Sequence, residues 1–197
     1  MRYCLVVGDF DVRPSPRFTL EFFSKKKHMA PGLSGLTIFW FVASAATVCI
    51  DLSFVLGRPW TLTAKGIPWE WWQLYATHDR RYGDLNDGWV VVQSYLNVVE
   101  VVMQLAAVVL SFAGVRTIAN KVAVTVAVMT FYKTVIYFLI EVFEDYRFTK
   151  HNSPKDLWLM VIIPSGVWLL MSLVVFLQSW ARLGASSAVA SAARKRA

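Results

Sequence analysis

The chain has 197 residues, of which 56% are apolar, 15% aromatic and only 17% charged, and its 20 Lys and Arg outnumber 13 Asp and Glu to leave a formal charge of +7. A soluble domain runs about 45–50% apolar and about 25% charged, so this composition cannot make a water-facing surface, and disorder, collagen and soluble nucleic-acid binding are excluded. At about 150 residues per domain the length fits one unit.

A hydrocarbon core roughly 30 Å thick takes about 20 apolar residues per helical crossing. In chain order, residues 1–32 form a basic segment holding Cys4, Arg13, Arg17, Lys25, Lys26 and Lys27. The first predicted crossing, 33–57, is too long and lacks the small-residue cleavage pattern of a secretory signal, and reads as an uncleaved anchor. Residues 58–87 form the one long loop, dense in Trp and Tyr and suited to lying in the membrane interface or capping the bundle, with a short interfacial helix over 68–81. Three more crossings follow at 88–114, 121–143 and 157–180, and 181–197 is a basic tail whose Ala/Ser-rich stretch from Gly184 to Ala193 reads as a mobile end. The fold class is therefore all-α, a four-helix membrane bundle.

An even number of crossings puts both termini on one side. Lys and Arg number twelve in the terminal segments and the 114–121 connection, against seven in 58–87 and 147–156, which places the termini in the cytosol. Most of the +7 is thus topogenic, with attraction to anionic lipid, and no nucleic-acid partner is implied. Arg194, Lys195 and Arg196 also resemble an endoplasmic-reticulum retrieval signal. Cys4 and Cys49 suggest neither a disulfide framework nor a metal site.

A charge at the bilayer centre costs at least about 2.5–3.5 kcal/mol, so Asp51, Glu100, Lys133 and Glu141 each need a reason. Helical spacing groups them into faces. Thr47 and Asp51, with Ser44 a turn away, share one side of the first crossing. Gln93, Asn97, Glu100 and Gln104 form a stripe on the second, and Thr130, Lys133, Tyr137 and Glu141 on the third. Ser165, Trp168 and Ser172 follow Pro164 on the fourth. Four inward stripes can enclose a pocket walled otherwise by apolar residues, fit for a large apolar ligand with one or two polar atoms. Two readings stand side by side: a ligand or proton-transfer site, or a bundle lock in which Glu100 or Asp51 neutralises Lys133. Glu141 reads equally as a site residue and as a lumenal surface acid.

The loop reads Y-A-x-x-D-x-R-Y over Tyr75, Ala76, Asp79, Arg81 and Tyr82, which resembles the emopamil-binding protein (EXPERA) family. Glu100, the Tyr137-Phe138-Leu139-x-Glu141 run and Trp168 after Pro164 match that family in order. One branch of the family comprises sterol Δ8–Δ7 isomerases, with a His and a Glu where this chain has Thr47 and Asp51, and an Asn where it has Ser165. The sigma-2 receptor branch has Asp at the position of Asp51, and C-I-D-L-S-F-V-L and E-V-V-M-Q-L here are similar to it. Lys133 has no expected counterpart in either.

The resemblance implies an isomerase that protonates a ring olefin and stabilises the carbocation before a neighbouring proton leaves, or a variant that opens an epoxide, or else a non-catalytic sterol-binding or trafficking protein. A protonated carboxylic acid can deliver that proton and a second carboxylate remove one, so Asp51 and Glu100 are the expected catalytic pair. Trp168 and Tyr132 or Tyr137 would stabilise positive charge through their ring faces, and Lys133 would hold one carboxylate ionised. Thr47, Asn97, Gln104 and Ser165 complete the expected substrate contacts. No metal, nucleotide or redox cofactor is required, and the expected partners are a sterol or terpenoid, the bilayer and, as a further option, a second copy of the chain.

Overall fold

The computed structural model describes residues 32–194; Cys4 and the basic residues of the N-terminal segment, and Lys195 and Arg196 of the expected retrieval signal, lie outside the described residues. Among those described, four helices are long and apolar enough to cross a membrane, and their ends follow from local chemistry. Helix α1 (Gly35–Leu56) opens at Ser34, whose Oγ accepts from the Thr37 N–H at 3.0 Å, satisfying a donor that a helix start otherwise leaves bare. After a tight turn at Trp60–Leu62 comes the short α2 (Trp69–His78). Helix α3 (Gly88–Phe112) is capped by Asp87, whose Oδ1 accepts from the Val90 N–H at 3.0 Å, a carboxylate at the positive end of the helix dipole.

Gly114 ends this segment at φ 82°, and the Val115 N–H returns to the Leu110 carbonyl at 2.9 Å, a closure that needs a left-handed residue. Helix α4 (Arg116–Phe143) therefore starts at once, ahead of the expected residue 121, because hydropathy discounts Arg116 and Asn120 although both fit a helical backbone. Asp145 and Tyr146 at φ 53° and 54° end α4, the Tyr146 N–H bonding the Glu141 carbonyl at 2.7 Å. The reversal brings Phe148 and Thr149 back beneath the helix end.

Ser153 caps the turn Pro154–Asp156, which leads through a wide π-helical turn, Leu157–Ile162, into α5 (Ile163–Arg194). The π turn precedes Pro164, which has no N–H to give and whose ring crowds the previous turn, so a looser coil accommodates it. Helix α5 runs on through 184–193, where the sequence suggests a mobile end; Ala is the strongest helix former and nothing there interrupts the backbone.

Helix α1 packs on α3, α3 on α4 and α4 on α5. The ring closes where Trp40 meets Trp168 edge-on at 5.0 Å and Ser34 bonds Gln178. Two apolar cores fill the bundle. At the end where α1 begins and α3 meets α4, Ala107, Ala119, Ala123 and Ala127 pack with Phe41, Val126 and Val175, small residues that let helices approach closely. At the loop end, Trp69, Trp72, Ala76 and Tyr82 cover the buried Phe54, Val55 and Val90. The aromatic loop thus caps the bundle, while Trp60 and Trp71 stay exposed.

Candidate functional site

A cavity of about 360 Å³ is lined from all four spanning helices and α2. Of the residues singled out from sequence, Thr47 and Asp51 reach it from α1, Asn97 and Glu100 from α3, Lys133 and Tyr137 from α4, and Ser165 and Trp168 from α5. Of the expected catalytic and substrate-contact residues, two are placed elsewhere. Gln104 is buried one turn beyond the cavity, accepting from Ser44 Oγ at 3.3 Å, since a stripe marks a helix face but not how far the cavity extends along it. Tyr132 is 66% exposed on the outer face of α4, because neighbours in sequence point about 100° apart and Lys133 already faces inward.

The charged centre joins α3 to α4. Lys133 Nζ donates to Glu100 Oε1 at 2.9 Å and to Asn97 Oδ1, while Thr130 Oγ1 donates to Glu100 Oε2 at 2.9 Å. Residues three apart on α3 thus meet residues three apart on α4, the register expected of facing helices. Of the two carboxylates offered by sequence, Glu100 is the partner of Lys133, and its side chain is 6% exposed. The pair is neutral as a unit, which is how two charges are tolerated in an apolar interior.

Asp51 has a different environment. Its Oδ1 accepts from Trp72 Nε1 at 3.0 Å, so a residue of the capping loop holds a carboxyl of the first crossing. Trp71, Tyr75 and Tyr82 line the same wall, and Tyr75 meets Tyr82 edge-on at 4.9 Å. Burial pushes both phenols well above their ordinary value, so they act as neutral hydrogen-bonding groups. Gln93 reaches the cavity as its inward stripe implied, whereas the loop's aromatic density pointed to a cap and not to this part of the cavity wall.

Beyond the cavity the rest of the Y-A-x-x-D-x-R-Y run ties down the loop end. Arg81 is 1% exposed and donates to Asp87 Oδ2 at 2.7 Å, Glu141 Oε1 at 2.9 Å and Glu144 Oε2 at 2.6 Å, with the Phe148 ring 4.3 Å from the guanidinium carbon. Glu141 also accepts from Thr149 Oγ1 at 2.8 Å. It is therefore neither a cavity residue nor a surface acid; it is a buried clasp between α4 and the loop. Asp79, fully buried, accepts from Tyr137 OH at 2.9 Å, and burial pushes its carboxyl up to about 7.

Among the described residues no cluster of His, Cys, Asp and Glu is arranged to hold a metal ion. The fold and site define a four-helix membrane bundle enclosing a cavity with one carboxyl held by an indole N–H and one carboxylate–ammonium pair. Compared with known proteins, the chain matches no family profile and no curated sequence.

Proposed function

We propose that the protein is an intramembrane isomerase that moves a double bond in a sterol or terpenoid by protonation and deprotonation, in the manner of the emopamil-binding family it resembles. The observation that carries this reading is that two carboxyl groups with different partners, Asp51 on a neutral indole N–H and Glu100 on an ammonium, face one cavity walled largely by apolar and aromatic side chains. Asp51 gives its proton to one olefin carbon, and the electron pair of the double bond forms the new C–H bond. The adjacent carbon becomes cationic, facing the Trp168 ring and the neutral phenol of Tyr137. Glu100 then takes a proton from the next carbon, whose C–H electrons form the shifted double bond. Both Glu100 oxygens already accept one hydrogen bond, and each keeps a second lone pair for that proton. Proton return from Glu100 to Asp51 restores the site. Lys133 keeps Glu100 as the acceptor of the pair.

The membrane is proposed to be that of the endoplasmic reticulum, following the family the chain resembles, with both termini cytosolic, following the Lys and Arg distribution. A second reading, a non-catalytic sterol-binding or trafficking protein, is favoured by the pairing of Glu100 with Lys133 and Thr130. Microsomes from a host lacking its own Δ8–Δ7 isomerase separate the two. Conversion of a Δ8-sterol on expression of this chain supports the isomerase; saturable sterol binding without conversion supports the binder.

A further inference from the structure

An ammonium has three N–H donors. Asn97 Oδ1 and Glu100 Oε1 take two from Lys133, no third acceptor is found among the described residues, and the side chain lines the cavity. Lys133 is the cationic donor of the cavity wall, and four neutral donors there are already engaged. Trp72 Nε1 is held by Asp51 and Thr130 Oγ1 by Glu100, Tyr137 OH by Asp79, and the Thr47 hydroxyl by its own helix backbone. A buried polar N–H left without an acceptor is costly, so a bound ligand gains by supplying one.

We infer that Lys133 is the docking point for a ligand oxygen, so that the cavity takes a neutral sterol or terpenoid bearing a hydroxyl, keto or epoxide oxygen and discriminates against amines. This rests on the sterol or terpenoid reading of the cavity and adds the identity of the ligand's polar end. An amine brought to Glu100 meets a carboxylate already neutralised by Lys133. One brought to Asp51 enters the same cavity that the Lys133 ammonium lines. An acceptor oxygen meets the opposite situation, a charge-assisted donor in a low-dielectric wall. Held by its oxygen at Lys133, the ligand has its hydrocarbon body left for the Trp168 side of the cavity.

The test uses the full chain in lipid nanodiscs and three labelled probes on one Δ8-sterol skeleton: the 3-hydroxy compound, the compound without that oxygen, and the 3-amine. The wild-type protein is expected to bind the hydroxy probe about 10- to 100-fold more tightly than the oxygen-free one, the range of one hydrogen bond to a charged group, and the amine more weakly than the hydroxy probe. Lys133→Met should abolish that preference. Because it leaves Glu100 unpaired in the membrane, Lys133→Met/Glu100→Gln is measured beside it, and there too the hydroxy and oxygen-free probes should bind alike. A hydroxyl preference that survives in the double variant, or an amine that is the tightest wild-type ligand, overturns the role of Lys133 and leaves the sterol cavity standing. No saturable wild-type binding of any of the three overturns the sterol or terpenoid reading itself, and the inference with it.

Discussion

Arg81→Met is expected to destabilise the protein by about 3–5 kcal/mol, the cost of removing one partner from a buried ion pair. The side chains of Asp87 and Glu141 are each 5% exposed and lose a charged partner together, while Glu144, at 41% exposed, adds little. The individual losses do not sum, because Asp87 keeps the Val90 N–H and Glu141 keeps Thr149 Oγ1, so neither carboxylate is stranded without a donor. Lys in place of Arg restores the charge but cannot reach three carboxylates in a fork, and should recover only part of the loss. The assay is denaturant unfolding in detergent followed by tryptophan fluorescence, run as a double-mutant cycle with Glu141→Gln. A coupling of about 1–3 kcal/mol between the two positions is expected. If Arg81→Met fell within about 0.5 kcal/mol of wild type, as a surface substitution does, the clasp would not hold the loop end and this reasoning would fail.

Asp79 supplies a pH dependence with a definite sign. Its folded value of about 7 lies above the ordinary 3.8, so the folded state holds the proton more tightly than the unfolded one. The stabilisation is fully present below about pH 4 and is lost as pH rises through about 7, on the order of 4 kcal/mol at most. Asp79→Asn should remove that slope from a pH series of unfolding midpoints, and identical slopes in the two proteins would show that Asp79 does not titrate there. Gly114→Ala should cost about 1–2 kcal/mol in the same unfolding assay, from backbone alone, since an added Cβ meets nothing within 4 Å; a neutral result would mean the turn tolerates another geometry. Tyr132→Leu should leave sterol conversion and stability at wild-type levels because the ring faces outward, and a loss of conversion in microsomes would place it in the reaction after all.

The crossings were legible because a membrane demands about 20 apolar residues in a row, and little else in a sequence looks like that. Spacing of three and four also placed Asn97, Glu100, Thr130 and Lys133 on facing surfaces. It could not say which carboxylate meets Lys133, because the partner is set by helix packing, which sequence spacing does not encode. Depth was invisible for the same reason: Gln104 and Glu141 continue inward stripes, yet one lies past each end of the cavity. Least legible were the contacts made by the loop. Trp72 with Asp51 spans 21 residues, Asp79 with Tyr137 58, and Arg81 with Glu141 60, and no periodicity links such positions. The Y-A-x-x-D-x-R-Y run marked where to look, but only the fold divides its members between the cavity wall and the clasp.

The most direct measurement is turnover of a Δ8-sterol in deuterium oxide, using microsomes that carry the wild-type chain, Asp51→Asn or Glu100→Gln, with expression matched. The wild type should give a Δ7-sterol carrying one solvent deuterium at the carbon that Asp51 protonates, and each variant should lose at least about 100-fold in rate, as expected when a positioned acid or base is removed. Deuterium-labelled product formed at wild-type rate by both variants would contradict the assignment of Asp51 and Glu100 as the proton-transfer pair.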